Sequence, residues 1–168
     1  MAEPLAPLRI LVVDDNPQMR TIMGAVLTAA GVIDLHTAPD GRAGLEKLAE
    51  QPFDCIYTDF EMPVMNGIEF VRRVRASTAA ARYMPIIMLT GYSELAHIKL
   101  ARDAGVTEFL RKPVTARDIL LRLEAVIMKP RPFVTSREYF GPDRRRIKPP
   151  NYSGPRRRSK DRRDPVQL

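Results

Sequence analysis

The apolar positions of this 168-residue chain recur in a fixed order. A short continuous run is followed each time by a longer stretch with apolar residues three and four apart. Residues 8–13 form the first run, which stops at Asp14-Asp15. Runs of this length and composition are strands buried on both faces of a parallel sheet. Asn16-Pro17 comes next, a capping residue and a proline suited to the first helical position. Ile22, Val26 and Leu27 give that helix an apolar face, and Gly31 ends it. Residues 32–37 predict a second strand. Asp40-Gly41 opens a helix carrying Ala43, Leu45, Leu48 and Ala49, which Pro52 terminates. Residues 55–58 predict a central strand that ends at Asp59.

The same order continues to residue 128. Asn66-Gly67 begins a third helix with Ile68, Val71 and Val74 on one side. Pro85 introduces a strand at 86–89 that delivers Thr90. Residues 94–104 predict a helix closed by Gly105, and residues 108–111 a short strand delivering Lys112-Pro113. Thr115 caps a last helix whose stripe is Ile119, Leu120, Leu123, Val126 and Ile127. Five strand–helix pairs with short connections predict an α/β fold, a doubly wound five-stranded parallel sheet with helices on both faces.

Charge changes the picture beyond that point. The formal net charge is +7. Residues 1–129 hold 15 Lys+Arg against 16 Asp+Glu, whereas residues 130–168 hold 12 against 4 and also seven of the 15 prolines. The chain therefore divides into a near-neutral domain and a basic tail, and a global isoelectric point describes neither. The tail lacks apolar periodicity, so it is expected to have no core of its own and no order until a ligand binds. The one cysteine, Cys55, excludes an intramolecular disulfide and a cysteine metal cluster and reads as a small buried strand residue. His36 and His97 stand alone and read as surface or half-buried histidines. No basic-then-apolar leader and no apolar run of about 18–20 residues is present, from which a cytoplasmic location is expected.

Four strands end in polar residues: Asp14-Asp15, Asp59, Thr90 and Lys112. A parallel sheet brings those ends to one edge, where ligands of open α/β sheets collect. Three carboxylates in one place repel, and a hard cation such as Mg²⁺, bound through oxygen, relieves them. A hydroxyl and an amine beside the metal suit the oxygens of a transferring phosphoryl group, and an Asp can serve as nucleophile.

Residues 8–128 resemble a CheY-like response-regulator receiver domain. The resemblance rests on Val-Val-Asp14-Asp15-Asn16, Asp59-x-x-Met62-Pro63-x-Met65-Asn66-Gly67, Thr90-Gly91 and Lys112-Pro113. It implies a flavodoxin/CheY-like fold over 8–129, with Asp59 as phosphoacceptor. It further implies Asp15 and Asp59 as direct Mg²⁺ ligands, Asp14 acting through water, and the Glu61 backbone carbonyl as a further ligand. Thr90 and Lys112 are implied to contact phosphoryl oxygens, with Phe109 as a switch aromatic and a cis Lys112-Pro113 bond. Asn66 stands where the family usually has Asp, and the Glu61 side chain leaves the lifetime of the phosphate open. By the same resemblance, this is a signalling protein rather than an enzyme, accepting and slowly hydrolysing its own aspartyl phosphate. The phosphate would come from a sensor histidine kinase or a phosphotransfer protein. The partner-binding face would be the helix at 94–104, the Phe109 strand and the last helix.

The tail contains a repeat. Tyr139-Phe140-Gly141-Pro142-Asp143-Arg144-Arg145-Arg146 recurs 13 residues later as Tyr152-Ser153-Gly154-Pro155-Arg156-Arg157-Arg158. Arginine pairs bidentately with guanine and with phosphate, and aromatic rings stack on bases. Arg158-Ser159-Lys160-Asp161 adds an R-x-x-D pattern, a weak signal in so arginine-rich a segment, and Arg162-Arg163 follows. The tail resembles the arginine-rich C-terminal segment of CheY-like cyclic di-GMP effectors that act on flagellar motors. That resemblance implies cyclic di-GMP as ligand and a flagellar motor switch protein as partner. Two other readings remain open: a sequence-nonspecific nucleic-acid arm, and a solubilising or membrane-surface arm on a receiver that works alone as a phosphate shuttle or motor-binding switch.

Overall fold

The computed structural model describes residues 5–91, 95–144 and 162–164. The strands are β1 (Arg9–Val13), β2 (Asp34–Ala38), β3 (Cys55–Asp59), β4 (Ile86–Thr90) and β5 (Glu108–Arg111). Between and after them run α1 (Pro17–Ala29), α2 (Gly41–Glu50), α3 (Gly67–Ala76), α4 (Leu95–Ala104) and α5 (Ala116–Met128). The five strands form one parallel sheet in the order β2-β1-β3-β4-β5. This is the doubly wound, flavodoxin/CheY-like architecture that the alternation predicts.

Alternate strand residues face opposite sides, so each face of the sheet builds its own core. Leu11, Val13, Ile56, Ile86 and Met88 pack with Phe70, Val71 and Val74 of α3 and Ala101 of α4. Ile10, Val12, Tyr57, Ile87 and Leu89 pack with Met23 and Leu27 of α1 and with Ile119, Leu123 and Val126 of α5. Cys55 is buried, as expected, and burial pushes its thiol well above the ordinary range. The helix starts read from sequence are capped as predicted. Asn16, Asp40, Asn66 and Thr115 each accept a backbone N–H of the first turn through the side chain.

Some expectations shift. β2 starts at Asp34 rather than at 32, and the helix expected at 94–104 is described from Leu95. Ile22 does not join the core and is 52% exposed, because α1 turns Met23 and Leu27 inward instead. Ala49 of α2 is exposed as well. A 3₁₀ turn at Ala80–Tyr83, between α3 and β4, has no counterpart in the sequence reading.

The largest departure concerns the tail. Residues 133–135, 140–142 and 162–164 form a small antiparallel sheet, with β6 (Phe133–Thr135) between β7 (Phe140–Pro142) and β8 (Arg162–Asp164). Phe133 and Val134 are buried. The expectation of a tail without order therefore fails for residues 133–144, and the reason is aromatic. Phe133 and Phe140 pack edge to ring on Tyr83, with centroids 5.3 and 5.4 Å away. The guanidinium of Arg82 lies 3.8 Å from the Phe140 ring centre. The segment borrows the receiver's surface instead of building a core. Residues 145–161 and 165–168 lie outside the described residues.

This packing surrounds Arg75, a buried cation of α3 that is 4% exposed. Its guanidinium donates to the carbonyls of Gly105, Arg82 and Met84 at 3.0, 2.8 and 2.6 Å, and to Thr107 Oγ1 at 3.4 Å. It also sits 4.9 Å from the Phe133 ring centre. Burial brings its pKa down to about 9, so it stays charged at neutral pH. Backbone acceptors in and just after the 3₁₀ turn and just after α4 depend on this one side chain. Arg75→Ala is expected to cost about 3 kcal/mol, since it leaves buried carbonyls without a donor. Thermal unfolding checks this, with a fall of about 10 °C expected. Arg75→Lys should recover only part, because one ammonium cannot span the same acceptors.

Candidate functional site

The site forms where the sheet order reverses. β1 lies between β2 and β3, and the helices that follow β1 and β3 pack on opposite faces, which opens a crevice at the carboxyl ends of these two strands. Asp14 directly follows β1, and Asp59 is the last residue of β3. Carboxylate oxygens of Asp14, Asp15 and Asp59 all lie within 4.8 Å of one another. Asp14 is 2% and Asp59 6% exposed, while Asp15 is exposed. Lys112, at the end of β5, reaches across the edge and places Nζ 2.7 Å from Asp59 Oδ1. Thr90, the last residue of β4, is buried at the same edge. The sequence reading named these five residues, and the sheet brings them together.

Local structure holds each carboxylate in place. Asp14 Oδ1 accepts the Asn16 N–H at 2.8 Å, and Arg20 donates to the Asp14 carbonyl at 2.6 Å. Beyond Asp59 the chain turns and passes back over the strand end. Gly67 N donates to the Phe60 carbonyl at 2.9 Å, and a Cβ on Gly67 would stand 2.1 Å from the Asp59 carbonyl oxygen. Only glycine permits that approach. In the turn itself, Val64 adopts φ of 68°, a strained choice for a β-branched residue. Met62 and Met65, both buried, pin the turn on either side. Glu61 lies in this turn, with its side chain exposed. The Lys112-Pro113 bond is cis, as the resemblance implied.

Electrostatics make the cluster unfavourable as it stands. Burial raises the pKa of Asp14, opposed by the Asn16 hydrogen bond, with the charge of Asp59 raising it further. Burial also raises Asp59, opposed by the hydrogen bond and charge of Lys112. One ammonium faces three carboxylates. The donor set is all oxygen, clustered and partly shielded from water, which suits a hard divalent cation that keeps some of its own water.

Phe109 lies on β5 opposite Met88 of β4, half-buried against the α3–α4 core. It is thus one strand over and two residues back from Thr90. Sequence reasoning missed a second aromatic contact. His97 of α4 meets the ring of Phe60, the residue after Asp59, at 5.3 Å and 87°. A lone histidine three residues into a helix gave no signal for this. Of the proposed tail contacts, Tyr139 and Arg144 lie far from this edge, at the base of α4. Arg145, Arg146, Tyr152, Arg156, Arg157, Arg158 and Asp161 are outside the described residues. Arg162 and Arg163 are placed only as backbone of β8.

The raised pKa of Asp59 fixes the sign of a pH effect. Its ionised form is the less stable one in the fold, so the cost is absent at low pH and grows as pH rises through the raised value. In chelator, Asp59→Asn is expected to unfold above the parent at about pH 7 and to match it at about pH 3. Scanning calorimetry at both pH values checks this. Divalent-cation affinity should run the other way, weakening as pH falls through the raised values, because ligation needs the carboxylates ionised.

Comparison with known proteins agrees with this geometry. The model of the response regulator receiver domain matches residues 10–124. Chemotaxis protein CheY1 of Helicobacter pylori is 36% identical over 121 residues, covering 71% of this chain and 97% of its own. Chemotaxis protein CheY of Pseudomonas aeruginosa is 34% identical over 119 residues, covering 71% and 95%. Among solved structures, CheY4 of Vibrio cholerae matches with a TM-score of 0.67 at 35% identity, over 71% of this chain and 98% of that one. The receiver domain of a Pseudomonas aeruginosa sensor histidine kinase, solved with a magnesium ion coordinated in its active-site cleft, matches with a TM-score of 0.67 at 29% identity, over 73% and 98%. Receiver domains bind Mg²⁺ at an acidic site and work with histidine kinases or phosphotransfer proteins. The carboxylate cluster, the sheet that carries it and these matches together place the chain in the response regulator receiver family, of the two-component, chemotaxis type.

Proposed function

We propose that Asp59 is the phosphoacceptor of this receiver and that a second input enters through the arginine-rich tail. The observation that carries the first part is the Asp59–Lys112 contact inside the acidic cluster, at the end of a strand buried along its length. Asp15 and Asp59 would ligate Mg²⁺ directly, Asp14 through water, and the Glu61 carbonyl from the following turn. Once bound, the cation supplies charge neutralisation for the carboxylates and for the phosphoryl oxygens. An Asp59 oxygen attacks phosphorus as the bond from phosphorus to the donor's histidine nitrogen breaks, and that nitrogen keeps the electron pair. Lys112 transfers its hydrogen bond from the carboxylate to a phosphoryl oxygen, and the Thr90 hydroxyl donates to another. Phe109 responds to the displacement of Thr90. The protein acts on no separate substrate and slowly hydrolyses its own aspartyl phosphate.

The output face in this reading is α4, β5 and α5. Leu100 and Leu121 are about half exposed there, and Met128 is 67% exposed. The tail reads cyclic di-GMP and couples it to a partner such as a flagellar motor switch protein, in the cytoplasm. Clustered arginines with aromatic and aspartate neighbours in the tail support this, because they suit a ligand with two guanines and two phosphates.

Two measurements test the reading. Asp59→Asn should abolish label uptake from an acyl-phosphate donor with Mg²⁺, and chelator should abolish it in the parent. Undiminished uptake by the variant would exclude Asp59. For the tail, calorimetric titration of the full chain with cyclic di-GMP, GTP and a short DNA duplex is informative. Saturable dinucleotide binding, lost when Arg156, Arg157 and Arg158 are changed to Glu, is expected. Duplex binding that fades steeply with salt and shows no dinucleotide preference would instead identify a nucleic-acid arm.

A further inference from the structure

The first copy of the repeated motif Tyr-x-Gly-Pro-x-Arg lies away from the carboxylate edge and packs against the receiver through Gly141 and Arg144. Tyr139 Oη donates to the Pro142 carbonyl at 2.8 Å and closes the turn. The Arg144 guanidinium lies 4.1 Å from the Tyr139 ring centre and pairs with Asp103 of α4. At Gly141 a Cβ would stand 2.5 Å from Tyr139 Oη and 3.1 Å from the Cα of Gly105. Tail and receiver thus meet glycine against glycine, at the loop that ends α4.

The two copies differ at informative positions. In the first, Phe140 packs on Arg82 and Tyr83, and Asp143 is buried with its N–H donating to the Pro132 carbonyl at 2.8 Å. In the second, Ser153 and Arg156 stand at those places. Of the shared residues, Tyr139, Gly141 and Pro142 close the turn on itself, while Arg144 reaches Asp103 of the receiver. Phe140, which differs, adds a seat on Arg82 and Tyr83 that the second copy lacks. Arg144 is also poorly placed to read a base. One face is covered by Tyr139, its edge is committed to Asp103, and its side chain is only 23% exposed. Binding guanine would forfeit both contacts and leave Asp103 unpaired.

We propose that the first copy is an intramolecular clasp, fastening the tail to the C-terminal end of α4 through Arg144 and Asp103, and that guanine is read by arginines outside it. The second half rests on the dinucleotide reading above; the clasp does not.

The test uses the full chain and two variants that break the same pairing from opposite sides, Arg144→Ala and Asp103→Asn. Amide exchange at residues 133–135 and at Phe140 and Gly141 should accelerate roughly tenfold in both, because their docking is the local opening being weakened. Cyclic di-GMP affinity should respond to both variants alike, within about twofold of each other. Unchanged exchange in both variants would overturn the clasp. A loss of about tenfold or more in affinity confined to Arg144→Ala would make Arg144 a ligand contact and overturn the division of labour. A parent that binds no dinucleotide would refute the second half with the reading it rests on, and the exchange rates would still decide the clasp.

Discussion

Everything at the working edge of this protein follows from placing Asp14 and Asp59 side by side, both largely out of solvent, with one ammonium between three carboxylates. Two ionised carboxylates closer than 4.8 Å repel by about 3 kcal/mol at an effective dielectric near 20. The fold imposes that proximity through register. Val13 pairs with Thr58, so the residues that follow them emerge together. Lys112 comes from β5, on the far side of β4, and its long side chain spans the gap. Gly67 lets the returning chain pass over the strand end without displacing the Asp59 carbonyl. The site is therefore preloaded with repulsion, and whatever brings positive charge or removes a proton acceptor relieves it.

Much of this was legible in the sequence because local signals and global fold agree. Continuous apolar runs of about five residues mark strands buried on both sides, and each ends in the polar residue that the edge requires. Asn16, Asp40, Asn66 and Thr115 cap their helices because their short side chains reach backbone donors two or three residues ahead, a purely local geometry. Ile22 was misplaced for a different reason. Spacing fixes a stripe only to within one residue, and the contacts of Met23 and Leu27 with the sheet decided its rotation. The buried role of Arg75 left no trace, since an arginine between Val74 and Ala76 reads as one more charge on a helix face. Its acceptors lie at positions 82, 84, 105 and 107, brought close only by tertiary structure.

The tail shows how composition can conceal packing. Judged by its arginines and prolines, the segment after residue 129 has too little apolar surface to order itself. Averaging hides that Phe133 and Phe140 need no core of their own when Tyr83, Arg75 and Arg82 already present a receptive surface. Cations over aromatic faces make basic residues of the receiver compatible with this tail, because the negative face of each ring attracts a guanidinium.

These contacts lie at the end of the sheet opposite the carboxylates. Gly105 precedes β5 and Met84 precedes β4, so Arg75 and the docked segment hold the base of the molecule. α4 is thereby held where it ends, through Gly105 and Asp103, while its first turns lie against Phe60 beside Asp59. A helix secured at one end behaves as a lever. A small rotation about Gly105 is magnified at His97, roughly 12 Å up the axis at 1.5 Å per residue. The fulcrum is set by the tail's docking and the far end lies beside the Asp59 loop, so the stiffness of the base determines how much of a displacement at that loop becomes movement of α4.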